Sequence, residues 1–327
     1  MSGPLMRAQR GAALLIAMII VTLVATLAAA MTWRQYRAVQ IESGERARAQ
    51  AGWILIGALD WARLILREDA ASNLSKTNWD HLGEVWAVPL AEARLSTFLA
   101  AAGGATAPDD NGGPDAFLSG NIEDAQSRYN LYHLLGGKQV PVAERNTLVR
   151  LCATIGAPSS TADAIISQLR AAYASTPQSD APLPPKDADQ LVWLGIEPQV
   201  AARLAPFVML LPTPTPVVTP VNLNTAPAEV IAALFDGVDL GAAQRLVQGR
   251  RNAPLASPQD ASRYFPQGVK ISGERASVNS SYFIVTGRLR LDEHVFVQRS
   301  LVQRSNLDMI VLERRRVNEV VTNEAGA

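Results

Sequence analysis

The pattern of apolar and polar positions divides the chain into three stretches. From Gly11 to Met31 only two polar side chains, Thr22 and Thr26, interrupt an otherwise apolar run. At 1.5 Å per residue such a helix is roughly 31 Å long, the thickness of a bilayer's hydrocarbon core. Behind it, Ala47, Ala51, Ile54, Ala58, Trp61 and Ile65 recur at alternating spacings of four and three, with Leu55, Leu59, Ala62 and Leu66 as a second stripe beside them. Together these positions form the wide apolar face of a helix packed on something flat. No proline falls between Pro4 and Pro89, so nothing forces a break between the two helical stretches.

The middle of the chain keeps a helical period. Pro141 to Ile155 places Leu148, Leu151, Cys152 and Ile155 on one face, and Gly156 ends it. Ser160 to Tyr173 opens with Ser160, Thr161 and Asp163 in capping range and continues through Ile165, Ile166, Leu169 and Tyr173. Asp187–Leu194 and Pro198–Leu204 read as short helices broken at Gly195, and Thr225–Phe235 and Gly241–Val247 follow in the same way. The connectors are Gly103–Asp115, rich in Gly, Pro and Asp, and the proline-rich stretches Thr176–Lys186 and Pro212–Pro220. The last stretch changes period. Tyr282–Leu291, Val295–Arg304 and Met309–Val317 are rich in Val, Ile, Phe and Leu and are separated by polar turns, which predicts a three-stranded antiparallel meander.

Composition narrows the function. The chain has 327 residues, and about 290 remain outside the apolar helix, enough for two packed units. Lys plus Arg equals Asp plus Glu at 30 each, so no global field draws the chain to nucleic acid. With Cys152 the sole cysteine, no disulfide can form within the chain, and His81, His133 and His294 are scattered singly. Leu134–Lys138 lacks the spacing of a phosphate-binding loop, Ser159-Ser160 and Ser280-Ser281 read as loop chemistry, and Arg314-Arg315-Arg316 reads as a solvated strand end. No catalytic constellation emerges, so the chain is not expected to be an enzyme.

Asn222 to Ala226, followed by Leu234, Gly237, Gly241, Ala242 and Val247, has the look of a helix-hairpin-helix. Such hairpins hold DNA phosphates on backbone N–H groups at a helix start. From Val217 to Lys270 five basic residues face four acidic ones, and Asp236 and Asp239 flank the turn that would hold the phosphate. Nucleic acid is therefore not an expected partner. A DNA-binding or DNA-uptake pilus subunit stands as the alternative reading.

The N-terminus admits three readings. Ala28-Ala29-Ala30 offers a secretory cleavage site, although the apolar run exceeds the usual 7–15 residues. A plain signal anchor fits the hydropathy. In the third reading a leader peptidase cuts after Gly11, which follows the basic Arg10 with no polar spacer before the apolar run. Arg7 and Arg10 place the N-terminus in the cytoplasm and the remainder outside under all three.

Arg10-Gly11, the apolar run and the extended helix together resemble the class III signal of type IV pilins and pseudopilins. The resemblance implies prepilin-peptidase cleavage between Gly11 and Ala12 and N-methylation of Ala12. Ala12 stands where that family usually has Phe or Met, and Ile16 stands where nearly every pilin has a glutamate. The branch lacking that glutamate is minor pseudopilin K of the type II secretion system, also called general secretion pathway protein K. Further matches to that branch are Asn121–Leu135, Gln190–Pro212 followed by Val221-Asn222-Leu223-Asn224-Thr225-Ala226, and Ser281–Arg304.

The resemblance implies an α+β pilin-like fold: a long N-terminal transmembrane helix on an antiparallel sheet, with a large all-α insertion. The expected divisions are a leader (1–11), the transmembrane helix (12–33), the first part of the pilin-like domain (34–131), the helical insertion (132–278), the returning strands (279–317) and a tail (318–327). It further implies a subunit at the tip of a periplasmic pseudopilus that helps initiate its assembly for protein export. Implied partners are the I and J minor pseudopilins, the major pseudopilin, prepilin peptidase and the inner membrane, which the chain would span once. No cofactor is implied. Some members bind calcium in the globular region, and this chain is short of acidic residues between Tyr173 and Lys186.

Overall fold

The computed structural model describes residues 10–75, 79–97, 115–174, 176, 179–212, 219–292 and 294–317. The leader before Arg10, nearly all of the Gly/Pro/Asp connector, the centre of the second proline-rich connector and the tail lie outside the described residues. The chain divides into two compact units, Met1–Ile54 and Leu55–Ala327.

The described residues of the first unit, 10–54, are helical and continue into the second unit as part of one helix. Helix α1 begins at Arg10 and ends at Ser75. Its early apolar side chains, among them Leu15, Ile16, Ile19, Leu23 and Leu27, are each more than half exposed. The hydroxyls of Thr22, Thr26 and Thr32 donate to the carbonyls of Ile19, Leu23 and Ala28, each at 2.9 Å. Each hydroxyl proton is thus satisfied within the helix, which makes these residues compatible with lipid. It is the one helix among the described residues long and apolar enough to cross a membrane.

In the second unit a five-stranded antiparallel sheet has the order β1-β2-β7-β8-β9. Its strands are β1 (Leu90–Arg94), β2 (Ala116–Asp124), β7 (Tyr282–Leu291), β8 (His294–Ser305) and β9 (Asp308–Val317). The predicted meander is therefore present as β7-β8-β9, and β2 adds a fourth strand from 158 residues earlier, through the pairing Asp124↔Phe283 to Ala116↔Leu291.

Alternation on the sheet decides what each face meets. Phe283, Val285 and Val302 join Leu59, Ala62, Leu66 and Ala70 of α1 and the wholly buried Trp86. The Trp86 ring stands edge-on to Phe283, with centroids 5.2 Å apart, a favourable aromatic geometry. Of the two predicted helical stripes, the Leu55–Leu66 stripe is the buried one, and Trp61 remains 38% exposed. The opposite face presents Tyr282, Ile284 and Leu301 to Ala125, Met209 and Leu211.

Between β2 and β7 the chain builds its largest apolar core. Here lie α2 (Val142–Thr154), α3 (Thr161–Ala172), α4 (Pro198–Leu204), α5 (Ala228–Leu234) and α6 (Leu240–Asn252). The insertion is helical except for two parallel ladders of two residues a side. In these, β3 (Tyr129–Asn130) pairs with β4 (Val208–Met209), and β5 (Val221–Asn222) with β6 (Ala276–Ser277). Such short ladders carry no periodicity to read in sequence. Two local expectations change. Ala188–Leu194 is a 3₁₀ segment, ended by Gly195 at φ 75°. Ser160 makes no side-chain cap to α3, and Asp163 pairs instead with Arg145 of α2 at 2.7 Å.

Gly120 on β2 and Gly287 on β7 face each other across the sheet, and a Cβ at Gly287 would stand 3.1 Å from Leu55 Cδ2 of the helix. A Cβ at Gly120 would stand 2.5 Å from the Thr286 carbonyl oxygen, which is backbone and cannot swing away. Gly120→Ala is expected to cost about 1–3 kcal/mol in urea unfolding, as overpacking does. Gly57→Ala, with nothing within 4 Å of the new methyl, is expected to be neutral or stabilising by up to about 1 kcal/mol.

Candidate assembly site: the anchor helix and the junction of the insertion

The residues expected to matter at the N-terminus lie on one continuous helix: Gly11, Ala12 and Ile16 all fall in the first two turns of α1. The Ile16 side chain is 57% exposed and apolar. No Asp, Glu, Lys or Arg occurs between Arg10 and Arg34. This stretch offers neighbours van der Waals contact and close approach at Ala25, Ala28 and Ala29, and carries no charge to match.

A second site lies where the insertion leaves and rejoins the sheet, and it is built from polar groups. Asp124, the last residue of β2, is 3% exposed. Its Oδ2 accepts from Thr225 Oγ1 at 2.5 Å, Ser280 Oγ at 2.6 Å and Asn222 Nδ2 at 3.0 Å. Its Oδ1 accepts from Gln126 N at 2.8 Å. Asn222 also donates to the Asp80 carbonyl at 3.2 Å and to Ser280 Oγ at 3.0 Å. The neighbouring Asn224 holds the backbone of Leu255 by both ends of its amide, at 2.9 and 3.0 Å. Buried polar groups are tolerated when each finds a partner, and here the partners come from distant segments.

Beside this node Arg304 of β8 donates to Asp69 of α1 at 2.9 Å, to Asp80 and to the Ser280 carbonyl at 2.6 Å. Gln126 bridges the two crossings of the chain, donating to the Pro220 carbonyl at 2.8 Å and accepting from Ser281 N at 2.5 Å. Further along, Asp187 caps the 3₁₀ segment at Ala188 N and pairs with Arg299 of β8 and Arg315 of β9. Arg315 is therefore no solvated strand end, and Ser280 no mere loop serine: each ties the insertion to the sheet.

Burial sets the titration of this junction. Desolvation pushes Asp124 up from the ordinary 3.8 to about 6, against the lowering effect of its Ser280, Thr225 and Gln126 hydrogen bonds. Desolvation, reinforced by Glu84 and Asp80, pushes Asp69 up to about 7 despite the Arg304 charge. Elsewhere burial raises the Cys152 thiol to about 11, which leaves it inert at neutral pH.

The helix-hairpin-helix look of this region has a structural origin. The Asp239 carboxylate accepts the Ala242 N–H at 2.6 Å, taking an α6 N-terminal donor that a phosphate would need. Asp236 stands fully exposed beside it. Asn222, Asn224 and Thr225 face inward to the node rather than outward to a ligand. The three histidines have ordinary places: His133 Nε2 accepts from Thr219 N, His81 Nδ1 from Gly83 N, and His294 stacks on Phe296.

Long helix, antiparallel sheet and helical insertion define a pilin-like fold whose N-terminal helix has the length and apolarity to cross a membrane. The family described as "Type II secretion system (T2SS), protein K" matches residues 221–279, the segment that carries the node's Asn222 and Thr225. Type II secretion system protein K of Pseudomonas aeruginosa is 28% identical over 91% of this chain and 90% of its own. Those of Pectobacterium carotovorum and Klebsiella pneumoniae are 26% and 27% identical over 94% of this chain and 96% of theirs. The fold matches a chain of the GspK-GspI-GspJ complex of the type 2 secretion system of enterotoxigenic Escherichia coli. That match has a TM-score of 0.58 and 18% identity, covering 84% of this chain and 99% of that one. The resemblance to minor pseudopilin K thus runs along nearly the whole length of the chain and of these relatives, each named as a type II secretion system protein K.

The sequence alone did not disclose Asp69, Asp80, Asp124, Gln126 or Arg304. Their signal was available only in part: Asp124 ends a strand of otherwise mixed polarity, and the Asn-x-Asn-Thr string pairs amides that favour local backbone bonding.

The folded chain holds a proton on Asp124 more tightly than the unfolded chain does. Its contribution to stability is therefore full below pH 4 and is lost as pH rises through about 6. Melting temperature is expected to rise from pH 7.5 to pH 5, and Asp124→Asn should remove about 1–1.5 kcal/mol of the stability gained over that range. Asn222→Ala, which removes one of the four donors to the Asp124 carboxylate, is expected to cost about 1–3 kcal/mol in chemical unfolding at pH 7.5.

Proposed function

We propose that this subunit caps the tip of a periplasmic pseudopilus, helps initiate its assembly for protein export, and does no catalysis. The observation that carries the reading is the anchor helix: Arg10-Gly11 before an uncharged apolar run, with Ile16 at the position where pilins place a glutamate. In an ordinary subunit that buried carboxylate needs the terminal amine of a neighbour. A subunit without it has no charge to match in the bilayer, so it can stand first in the stack. The inner-membrane, single-pass placement with a cytoplasmic N-terminus rests on Arg7 and Arg10.

The division of labour follows the same boundaries: residues 12–33 anchor, 34–131 and 279–317 form the pilin-like body, and 132–278 form a bulky cap. The proposed partners are minor pseudopilins of the I and J types, supported by the fold match to a chain crystallised in a GspK-GspI-GspJ complex, and below them the major pseudopilin. The alternative, a DNA-uptake subunit, loses support because Asp239 occupies the turn that would hold a phosphate.

Co-expression with a prepilin peptidase, followed by intact-mass and N-terminal analysis, tests the first step. The expected product lacks Met1–Gly11 and carries one methyl on Ala12. A cut after Ala30 would instead make the chain a soluble periplasmic protein and remove the tip reading. Position 16 gives a second test. Ile16→Glu places a carboxylate in lipid with no partner above it, and is expected to reduce recovery of the complex with I- and J-type subunits, at a cost of a few kcal/mol. Unchanged recovery would show that the apolar residue there is incidental.

A further inference from the structure

The outer end of the apolar run on α1 carries a group of side chains that the proposed tip role does not use. Trp33 and Tyr36 are 65% and 60% exposed, and Arg34 and Arg37 are exposed beside them. At roughly 100° per residue, these four fall within about 160° of the helix circumference. Ala28, Thr32 and Gln35 fall on the other side. One face of the helix is thus aromatic and cationic, and the opposite face is small or neutral.

A second observation concerns the charges. The first carboxylate of the chain is Glu42, so no acidic residue stands within one helical turn of Arg34 or Arg37. Neither arginine makes an ion pair or a side-chain hydrogen bond among the described residues. Further along the same helix the arginines are matched locally: Arg46 by Glu42 at 2.5 Å and Arg48 by Glu45 at 2.6 Å. The change from unpaired to paired arginines falls just beyond the apolar run, where a helix that crosses a membrane leaves the hydrocarbon.

We propose that Trp33, Arg34, Tyr36 and Arg37 form a grip for anionic phospholipid headgroups of the leaflet into which the helix emerges. The inference rests on the reading of α1 as a membrane-spanning helix. From Ala12 to Trp33 such a helix rises about 33 Å, which brings Trp33 to headgroup level and Arg34 and Arg37 into the next turn. Indole and phenol rings settle at that level because one end is apolar and the other polar. A guanidinium there meets lipid phosphates with paired N–H donors. Phosphate is common to all phospholipids, but only an anionic headgroup leaves its charge uncancelled, and no carboxylate on this stretch of helix competes for the arginines.

The consequence bears on assembly. A cut after Gly11 removes Arg7 and Arg10, the two arginines at the inner end. Apart from the new terminal amine, the charges then left beside the apolar run are Arg34 and Arg37 at the outer end. The grip sets the depth of the helix from the outer side. No side-chain charge has to cross the bilayer when the helix is drawn outward, and the headgroup contacts are the charged hold that must be released. The face with Ala28 stays free for a neighbouring helix while lipid holds the other.

The full chain is reconstituted in nanodiscs of equal phosphatidylglycerol and phosphatidylcholine, and the lipids that stay bound are weighed by native mass spectrometry. Phosphatidylglycerol is expected to be retained over phosphatidylcholine at least about fivefold, the order one arginine gives near a charged leaflet. Arg34→Gln with Arg37→Gln is expected to abolish the preference. Arg46→Gln with Arg48→Gln, which removes the same charge from the paired stretch, is expected to keep it. All three proteins are expected to stay with the membrane in alkaline carbonate, which checks the spanning helix separately. Release of the wild type by carbonate would remove the spanning reading and the grip with it. A wild type that stays in the membrane yet retains both lipids equally overturns the grip alone, as does a preference lost as fully in the Arg46 and Arg48 variant. Displacement of the retained lipid by millimolar inorganic phosphate also overturns it, and would assign the two arginines to a free anion.

Discussion

The structure depends on one buried carboxylate and the neutral donors that surround it. Asp124 ends β2, and the chain does not return to the sheet until Tyr282. In between it folds a helical body with a core of its own. The donors to Asp124 lie 98, 101 and 156 residues away, on Asn222, Thr225 and Ser280. A carboxylate removed from water costs several kcal/mol unless its oxygens are matched. Matching them fixes where the exit of the insertion, its second half and its return must meet. Few arrangements of these segments satisfy all the donors at once, so the polar node specifies the junction while apolar burial supplies its stability.

From that junction the remaining features follow. With β2 and β7 brought into register, the sheet presents Phe283 and Val285 to the helix and Ile284 and Tyr282 to the insertion. Asp187 with Arg299 and Arg315 adds a second tie at a distance along the strands, resisting rotation of the helical body about the first. A subunit proposed to sit at the end of a filament needs this.

Much of the fold was legible in the sequence because periodicity reports on burial. The alternation of Tyr282 to Val317 and the four-three spacing of Leu55 to Leu66 each correspond to real faces. The paired ladders at Tyr129 and Val221 were not legible, since two-residue strands show no period. Ser160 misled because capping chemistry in sequence competes with tertiary pairing, and Asp163 spends its carboxylate on Arg145. The long apolar N-terminal helix was legible because composition alone sets it, and its apolar run lies within the continuous helix Arg10–Ser75. The junction was hidden for the opposite reason. Asp69, Asp80, Asp124, Gln126, Ser280 and Arg304 acquire their meaning only from segments that folding brings together, and Arg315 had the look of a solvated charge until Asp187 met it. The Asn-x-Asn-Thr string was conspicuous but ambiguous, since the same amides serve a phosphate-binding turn or an internal fastening.

The central claim is that Asp124 and Asn222 act as a pair that joins insertion and sheet. A double-mutant cycle of Asp124→Ala and Asn222→Ala, read by reversible chemical unfolding at neutral pH, measures it most directly. The account requires a coupling free energy of at least about 1 kcal/mol, with the double variant less damaged than the sum of the two singles. Strict additivity would contradict it, and would leave the insertion held to the sheet by apolar contact alone.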